Sequence, residues 1–337
     1  MYIIITARPE SAAFAVSELQ KYDASIRPVK DLQAGVKLVY LPGGYEKLIA
    51  DMPPFIFVRH MFPVQWYSVN AVTSEQFVPK LLEEVKLPEI NDGNFSVQAR
   101  GAVCVTTINE LENALKQKGF KQNDKHPDWV LSLFFYEGKT EHTLYAGASS
   151  VKDNRSAWNG GARRYSKSDE GFISRAEFKL MEAVEIFQIK IPADSSALDL
   201  GAAPGGWSKV LLDAGCRVTA VDPGALDARL SGHPNLSYVC ATAQRFFEAN
   251  PHKKFDLIVN DMKMGMFDSV RIMLDAARFL SPGGAAVMTL KLAKGQGPGK
   301  INEALVLLRQ KYRVTDTRQL FHNRDEVTVY LFSQPAL

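Results

Sequence analysis

The chain of 337 residues reads as an α/β protein: its second half is a doubly wound, mostly parallel sheet, and its first half is a separate α+β region. Three observations predict this. Short apolar runs at 196–200, 218–221, 236–240, 257–260, 285–290 and 327–332 alternate with stretches of helical spacing, the pattern of βα units. The first run ends in a glycine-rich turn that opens a helix, as ligand-binding turns of such sheets do. The length exceeds one typical domain, so two are expected.

The elements follow in order. In the first half, 3–6 is a strand, 12–19 has helical spacing, 35–41 alternates as a strand, and the apolar run 55–62 continues the strand pattern. A second unit begins near Asn94, with strand 95–99, helix 108–118, strand 129–136, the turn Glu137-Gly138 and strand 142–148. Segment 149–171 is polar and rich in Gly, Asn and Arg. It is expected to connect the two halves and to carry function, as long loops commonly do. Helices are expected at 177–187, 207–214, 267–280 and 300–312. The predicted domains are 1–150 and 173–337, joined by 151–172.

Composition is that of an ordinary globular protein, with 46% hydrophobic and 23% charged residues. No apolar run approaches the roughly 18 residues of a membrane span, so no membrane partner is expected. Met1-Tyr2-Ile3-Ile4-Ile5-Thr6 reads as a first strand, not a signal peptide. Cys104, Cys216 and Cys240 form no CxxC pair. Buried structural thiols in a cytoplasmic protein with no bound metal are expected. Charge is uneven: Lys152, Arg155, Arg163, Arg164, Lys167, Arg175 and Lys179 form one basic stretch, and Lys291, Lys294, Lys300, Arg309, Lys311 and Arg313 a second. A phosphate backbone suits such patches, and plain solvated surface is the alternative.

The turn is Leu198-Asp199-Leu200-Gly201-Ala202-Ala203-Pro204-Gly205-Gly206-Trp207. Its glycines let the backbone approach a bound molecule. Asp222 follows Gly201 by 21 residues, after a second apolar run, where an acid grips a ribose hydroxyl. A nucleoside-like cofactor is therefore expected. The spacing departs from G-x-G-x-x-G and puts Pro204 inside the loop, which counts against NAD. Asp199 suits a cofactor with a cationic ammonium group, such as S-adenosyl-L-methionine. A generic strand-to-helix turn is the plain alternative.

Four polar residues stand where a catalytic site would converge. Lys179 lies on the helix before the first strand, Asp261 follows strand 257–260, Lys291 follows strand 285–290, and Glu326 opens the last strand. Methyl transfer to a hydroxyl needs an oxygen in line with the methyl group and partly stripped of its proton. A lysine held by carboxylates can hydrogen-bond that oxygen and stabilise its developing charge. Singly, these residues also read as surface ion pairs or a helix cap.

Together with Ser174-Arg175-Ala176, Phe178-Lys179-Leu180, Asn260-Asp261-Met262, Leu290-Lys291-Leu292 and Arg324-Asp325-Glu326-Val327, the turn resembles that of the FtsJ-like RNA ribose 2′-O-methyltransferases. The resemblance covers about residues 171–333. It implies a Rossmann-like domain, S-adenosyl-L-methionine as cofactor, and a Lys-Asp-Lys-Glu tetrad at Lys179, Asp261, Lys291 and Glu326. The cofactor would be held by Asp199, Gly201, Ala202, Ala203, Pro204, Gly205, Gly206, Trp207, Asp222, Thr242 and Asp261. The implied reaction is methylation of a ribose 2′-hydroxyl in RNA, the substrate 23S ribosomal RNA of the large subunit, and the target a cytidine. The first half looks like a THUMP RNA-binding module preceded by a ferredoxin-like unit, on the pattern His126-Pro127-Asp128-Trp129 before a strand.

Two features depart from the family. Where it commonly has an acid for the adenine amino group, this chain has Cys240-Ala241-Thr242-Ala243-Gln244, so Thr242 or a backbone amide is expected to serve. The first 150 residues are slightly acidic, with 15 Lys+Arg against 17 Asp+Glu, so RNA contact there needs a local patch or shape recognition. In the connection, Trp158 and Tyr165 are candidates to stack on bases. Arg155, Arg163, Arg164 and Lys294 are candidate RNA contacts, against a packed linker anchored by Trp158. Arg59 and His60, within an apolar run, are expected to make structural hydrogen bonds. Two other functions fit less of the chain: a small-molecule O-methyltransferase, and a non-catalytic RNA-binding or ribosome-assembly factor.

Overall fold

A computed structural model describes residues 1–70, 74–90, 93–103, 105–165, 171–293 and 297–334. It divides into two compact units, Met1–Arg163 and Arg164–Leu337. The boundary falls inside the polar connection, most of which belongs to the first unit.

The first unit begins with β1 (Tyr2–Thr6), α1 (Ala12–Tyr22), β2 (Arg27–Gln33), β3 (Val36–Tyr40), α2 (Tyr45–Asp51) and β4 (His60–Val64). Its sheet has the order β2-β3-β1-β4 with every neighbour antiparallel, the split βαβ arrangement of ferredoxin-like folds. β1 is central, and its β-branched Ile3, Ile4 and Ile5 are all buried. β2 is an exposed edge strand. It tolerates Pro28 and lacks apolar alternation, so the sequence pattern passes over it.

The apolar run 55–62 is strand only from His60. Phe55, Ile56, Phe57 and Val58 are buried in a non-repetitive segment whose backbone must find side-chain partners. Glu18 on α1 accepts the N–H groups of Ile56 (2.8 Å) and Phe57 (2.9 Å). Arg155 donates to the carbonyls of Val58 (3.0 Å) and Phe55 (2.6 Å). Burial raises the Glu18 carboxyl above its ordinary value, although those two amides and Arg155 oppose the shift. His60 is buried, with the Arg100 charge near enough to disfavour its protonated form. Its ring nitrogens have no hydrogen-bond partner among the described residues, which corrects the expected structural bonds, and burial holds its pKa down at about 3.

A second sheet follows, from β5 (Trp66–Val69), α3 (Ser74–Glu84), β6 (Asn94–Arg100), α4 (Val105–Gln117), β7 (Lys121–Gln122), β8 (Trp129–Glu137) and β9 (His142–Ser150), with α5 (Val151–Asn154) after it. The order is β5-β9-β8-β6-β7, and β6 runs parallel to both β7 and β8. Leu111 and Leu115 of α4 and Leu81 of α3 cover one face, against Phe95, Trp129 and Leu131. On the other face Phe134 and Tyr145 pack with Ile4 and Phe62 of the first sheet.

The second unit holds α6 (Ala176–Ile186), β10 (Ser196–Leu200), α7 (Gly206–Asp213), β11 (Arg217–Val221), β12 (Leu236–Val239), α8 (Ala243–Ala249), β13 (Phe255–Asn260), α9 (Met266–Ala276), β14 (Leu280–Lys291), α10 (Pro298–Leu308), β15 (Tyr312–Arg318) and β16 (Glu326–Ser333). The order is β12-β11-β10-β13-β14-β16-β15, with β16 antiparallel between β14 and β15 and the other neighbours from β12 to β14 parallel. The winding reverses between β10 and β13, the place where such sheets bind ligands at their carboxyl ends. The last helix stops at Leu308, before the expected 312. Tyr312–Arg318 is instead a polar, bulged edge strand without an apolar stripe.

Candidate active site

The glycine turn links β10 to α7 and is shaped first by the protein's own packing. Gly201 has φ +76°, and a Cβ there would lie 2.5 Å from Cγ of Met262. Gly205 has φ +112°, and a Cβ there would meet Cδ1 of Leu230 at 2.3 Å. Neither position accepts a side chain. The Ala203–Pro204 peptide is cis, and Pro204 is exposed. Asp222, just past β11, accepts the Ala203 N–H (3.1 Å) on one oxygen and the Gly224 N–H (2.6 Å) on the other. A carboxylate has about four acceptor sites, so it retains capacity for ribose hydroxyls.

Two of the expected cofactor contacts have buried side chains engaged with the protein itself. Asp199 is 1% exposed and accepts a hydrogen bond from Ser208 Oγ (2.7 Å), fastening α7 to β10 from beneath the turn. Burial pushes its carboxyl up to about 7, partly offset by Ser208 and reinforced by the nearby carboxylates of Asp261 and Asp222. Trp207 is 3% exposed, packs in the core and donates its indole N–H to Ala176 O (2.7 Å). Ala202 is also buried, while Ala203 is half-buried beside Asp222. At the far end Thr242 is exposed and caps α8, its hydroxyl accepting from Arg245 N–H. Tyr238, which the sequence did not single out, donates to the carbonyls of Asp222 (3.2 Å) and Gly224 (2.9 Å). Cys216 is buried but Cys240 is exposed, correcting the expectation of uniformly buried thiols; Cys104 lies outside the described residues.

The fold brings Lys179, Asp261, Lys291 and Glu326 into one closed ring. Lys291 is the last residue of β14 and is paired in register with Glu326, the first of β16. Asp261 follows β13, and Asn260, fully buried, shapes the bend by accepting Met262 N–H (2.9 Å). α6 delivers Lys179. Around the ring, Lys179 Nζ stands 3.0 Å from Asp261 Oδ2 and 2.6 Å from Glu326 Oε1. Lys291 Nζ stands 2.5 Å from Asp261 Oδ1 and 2.5 Å from Glu326 Oε2. Thr289, two residues before Lys291 on β14, donates to Asp261 Oδ1 (2.6 Å); no motif flagged it.

Burial alone would raise the Asp261 carboxyl, but Lys291 and Lys179 outweigh it and hold it below its ordinary value. Burial likewise works against the Lys179 charge, and Asp261 and Glu326 reverse that, raising its pKa. These two groups are therefore ionised at neutral pH. Lys291 has two of three ammonium hydrogens directed at carboxylates, and the third has no partner among the described residues. The ring borders a cavity of about 1130 Å³ within the second unit.

A family model described as FtsJ-like methyltransferase matches residues 172–297. The chain carries an FtsJ-like methyltransferase domain. Its relatives include proteins named ribosomal RNA large subunit methyltransferase M. That of Laribacter hongkongensis is 35% identical over 177 residues, 48% of each chain. That of Halorhodospira halophila is 30% identical over 231 residues, 67% of this chain and 64% of that protein. That of Azotobacter vinelandii is 28% identical over 319 residues, 88% of this chain and 86% of that protein. The chain thus spans about half to two thirds of the length of the first two. Among solved structures, a fibrillarin pre-rRNA processing protein of Methanococcus jannaschii covers 60% of this chain at 18% identity with a TM-score of 0.40.

The expected RNA contacts are divided between the two units. Arg155 belongs to the first unit and is 8% exposed. Its guanidinium is committed to the carbonyls of Phe55 and Val58, which corrects its reading as an RNA contact. The same segment is bonded to the first unit through Ala157 O (from Gln98, 2.6 Å), Asn159 (to Ala99 O, 2.7 Å) and Gly160 O (from Thr6, 2.8 Å). Trp158 carries the Arg163 guanidinium 4.0 Å above its ring. Arg164 and Tyr165 belong to the second unit and line the tetrad cavity. Lys167 and Lys294 lie outside the described residues. Among those residues no helix is long and apolar enough to cross a membrane, and no His/Cys/Asp/Glu group could hold a metal.

Proposed function

We propose that this chain methylates a ribose 2′-hydroxyl of RNA, with 23S ribosomal RNA as substrate and a cytidine as target, in the cytoplasm. The observation that carries this reading is the closed Lys179–Asp261–Lys291–Glu326 ring at the carboxyl ends of β13 and β14, beside the Asp222 turn. S-adenosyl-L-methionine, when bound, supplies an electrophilic methyl carbon on its sulfonium sulfur. The residues present fit it. Asp222 retains acceptor sites for ribose hydroxyls, and Gly205 and Gly206 bring backbone N–H groups of a helix N-terminus alongside.

Lys291 directs its remaining hydrogen at the attacking 2′-oxygen and stabilises the negative charge that develops there, while the hydroxyl proton leaves to solvent as the oxygen takes the methyl group. Asp261 orients Lys291 and is itself held by Thr289 and Lys179. Glu326 closes the ring, so both lysines keep fixed positions. The first unit, with a ferredoxin-like sheet and a second sheet read as THUMP-like, serves to hold RNA. Residues 1–163 contain 18 basic and 18 acidic side chains, so recognition there rests on shape and local contacts. The test is transfer of tritiated methyl from S-adenosyl-L-methionine to 23S ribosomal RNA isolated from cells lacking this protein. Nuclease digestion should place the label in a 2′-O-methylated nucleoside; label only in a methylated base would sink the reading.

A further inference from the structure

Three aromatic side chains from distant parts of the second unit meet beside the tetrad. Tyr165 and Phe178 lie 5.3 Å apart with rings 10° from parallel. His322 contacts both, at 5.3 Å and 5.2 Å. All three line the tetrad cavity and are half-buried. None belongs to the apolar core of the unit, although Leu180 and Ala183 on the same helix as Phe178 do. Phe178 immediately precedes Lys179, and His322 lies four residues before Glu326, so the rings are tied to the elements that carry the tetrad. The His322 loop is fixed: Glu182, 2% exposed, accepts the N–H groups of Phe321 and His322, each at 2.8 Å. Asn323 accepts from Leu320 N–H (2.8 Å) and Thr328 Oγ (3.0 Å).

Four exposed cations share the cavity wall, Arg164, Arg175, Lys263 and Arg324, with Asp325 the exposed acid among them. Rings backed by fixed backbone, under a rim of net positive charge, match an unstacked nucleotide: its base lies on the rings and its flanking phosphates on the rim. A ribose carries its base on the carbon next to the 2′-position, so a hydroxyl placed at Lys291 keeps its base within reach of this wall.

We infer that Tyr165, Phe178 and His322 form the stacking subsite for the base of the acceptor nucleotide, and that RNA enters as a flipped-out or single-stranded segment held by Arg164, Arg175, Lys263 and Arg324. This rests on the proposed RNA methyl transfer and extends it to how the substrate is presented. Stacking reads the face of a base and not its edge, so the subsite gives affinity and placement while tolerating different bases.

The test uses the full chain saturated with S-adenosyl-L-homocysteine and a single-stranded hexaribonucleotide carrying one 2-aminopurine. Binding to the unaltered chain should quench the 2-aminopurine. Tyr165→Leu and His322→Leu should each weaken binding by about tenfold, the size of one lost stack, and abolish quenching, with S-adenosyl-L-homocysteine affinity unchanged by calorimetry. Arg164→Gln with Arg324→Gln should weaken binding and flatten its salt dependence while quenching persists. Because a ring substitution could disturb folding, the unaltered chain is also photocrosslinked to a 5-iodouridine hexamer, with adducts expected on Tyr165, Phe178 or His322. Wild-type binding and quenching in both leucine variants, or adducts confined to residues 1–163, would overturn the subsite. Quenching by a chain that transfers no methyl to ribosomal RNA would leave the subsite standing and remove the proposed reaction instead.

Discussion

Two loops of this molecule are held by the same device and put to different ends. In the first unit Glu18 of α1 accepts the N–H groups of Ile56 and Phe57; in the second, Glu182 of α6 accepts those of Phe321 and His322. In both, a helix carboxylate uses its two oxygens on two consecutive amides of a non-repetitive segment, satisfying backbone that no strand partner serves. The first loop then turns its side chains inward: Phe55, Ile56, Phe57 and Val58 are buried and Arg155 donates to the carbonyls of Phe55 and Val58. The second leads into Glu326 and presents His322 to the tetrad cavity. The same bonding builds core in one case and a site in the other. What differs is whether the loop runs on into a residue with chemistry.

Substitution should separate the two. Glu182→Gln replaces one acceptor oxygen with an N–H₂ that opposes a loop amide. It should lower kcat/KM by about ten- to a hundredfold, as lost charge-assisted bonds in a positioned loop do, with S-adenosyl-L-methionine affinity kept. Unchanged turnover in Glu182→Gln would mean that the His322 loop does not position the site. Glu18→Gln and Arg155→Ala should instead act on stability, each lowering Tm by about 4 °C while turnover per folded molecule and RNA affinity hold. A selective loss of RNA affinity in Arg155→Ala would restore that residue as an RNA contact.

A further effect on stability concerns Asp199. Its carboxyl is raised from 3.8 to about 7 in the folded chain, so between those pH values the folded state keeps a proton that the unfolded state has released. Stability from this group therefore falls as pH rises from 4 to 7 and is level above. Asp199→Asn does not titrate, so its Tm relative to wild type should climb between pH 5 and pH 8. A constant difference would show that the carboxyl ionises normally.

Much of the second unit is legible in the sequence because a parallel sheet places strand ends together. Asp222, Asp261 and Lys291 stand directly after apolar runs, and the register of β14 with β16 sets Glu326 opposite Lys291. The sequence does not reveal which side chains those strand ends turn under the surface. Asp199 and Trp207 lie within the turn motif, yet burial commits both to protein partners. Thr289 carries no motif, and its bond to Asp261 depends on the strand's two-residue repeat. The ring cluster joins residues 165, 178 and 322, a contact that only the tertiary fold creates. In the first unit, β2 and β5 are edge strands with little or no apolar alternation, and the run 55–58 is buried without being a strand. Periodicity therefore passes over the first two and misreads the third.

The central claim is tested most directly by mapping ribose methylation across ribosomal RNA in cells that lack this protein, complemented with wild type or Lys291→Ala. One 2′-O-methyl mark in 23S ribosomal RNA should disappear, return with wild type and stay absent with Lys291→Ala. An unchanged map, or full restoration by Lys291→Ala, would contradict the account.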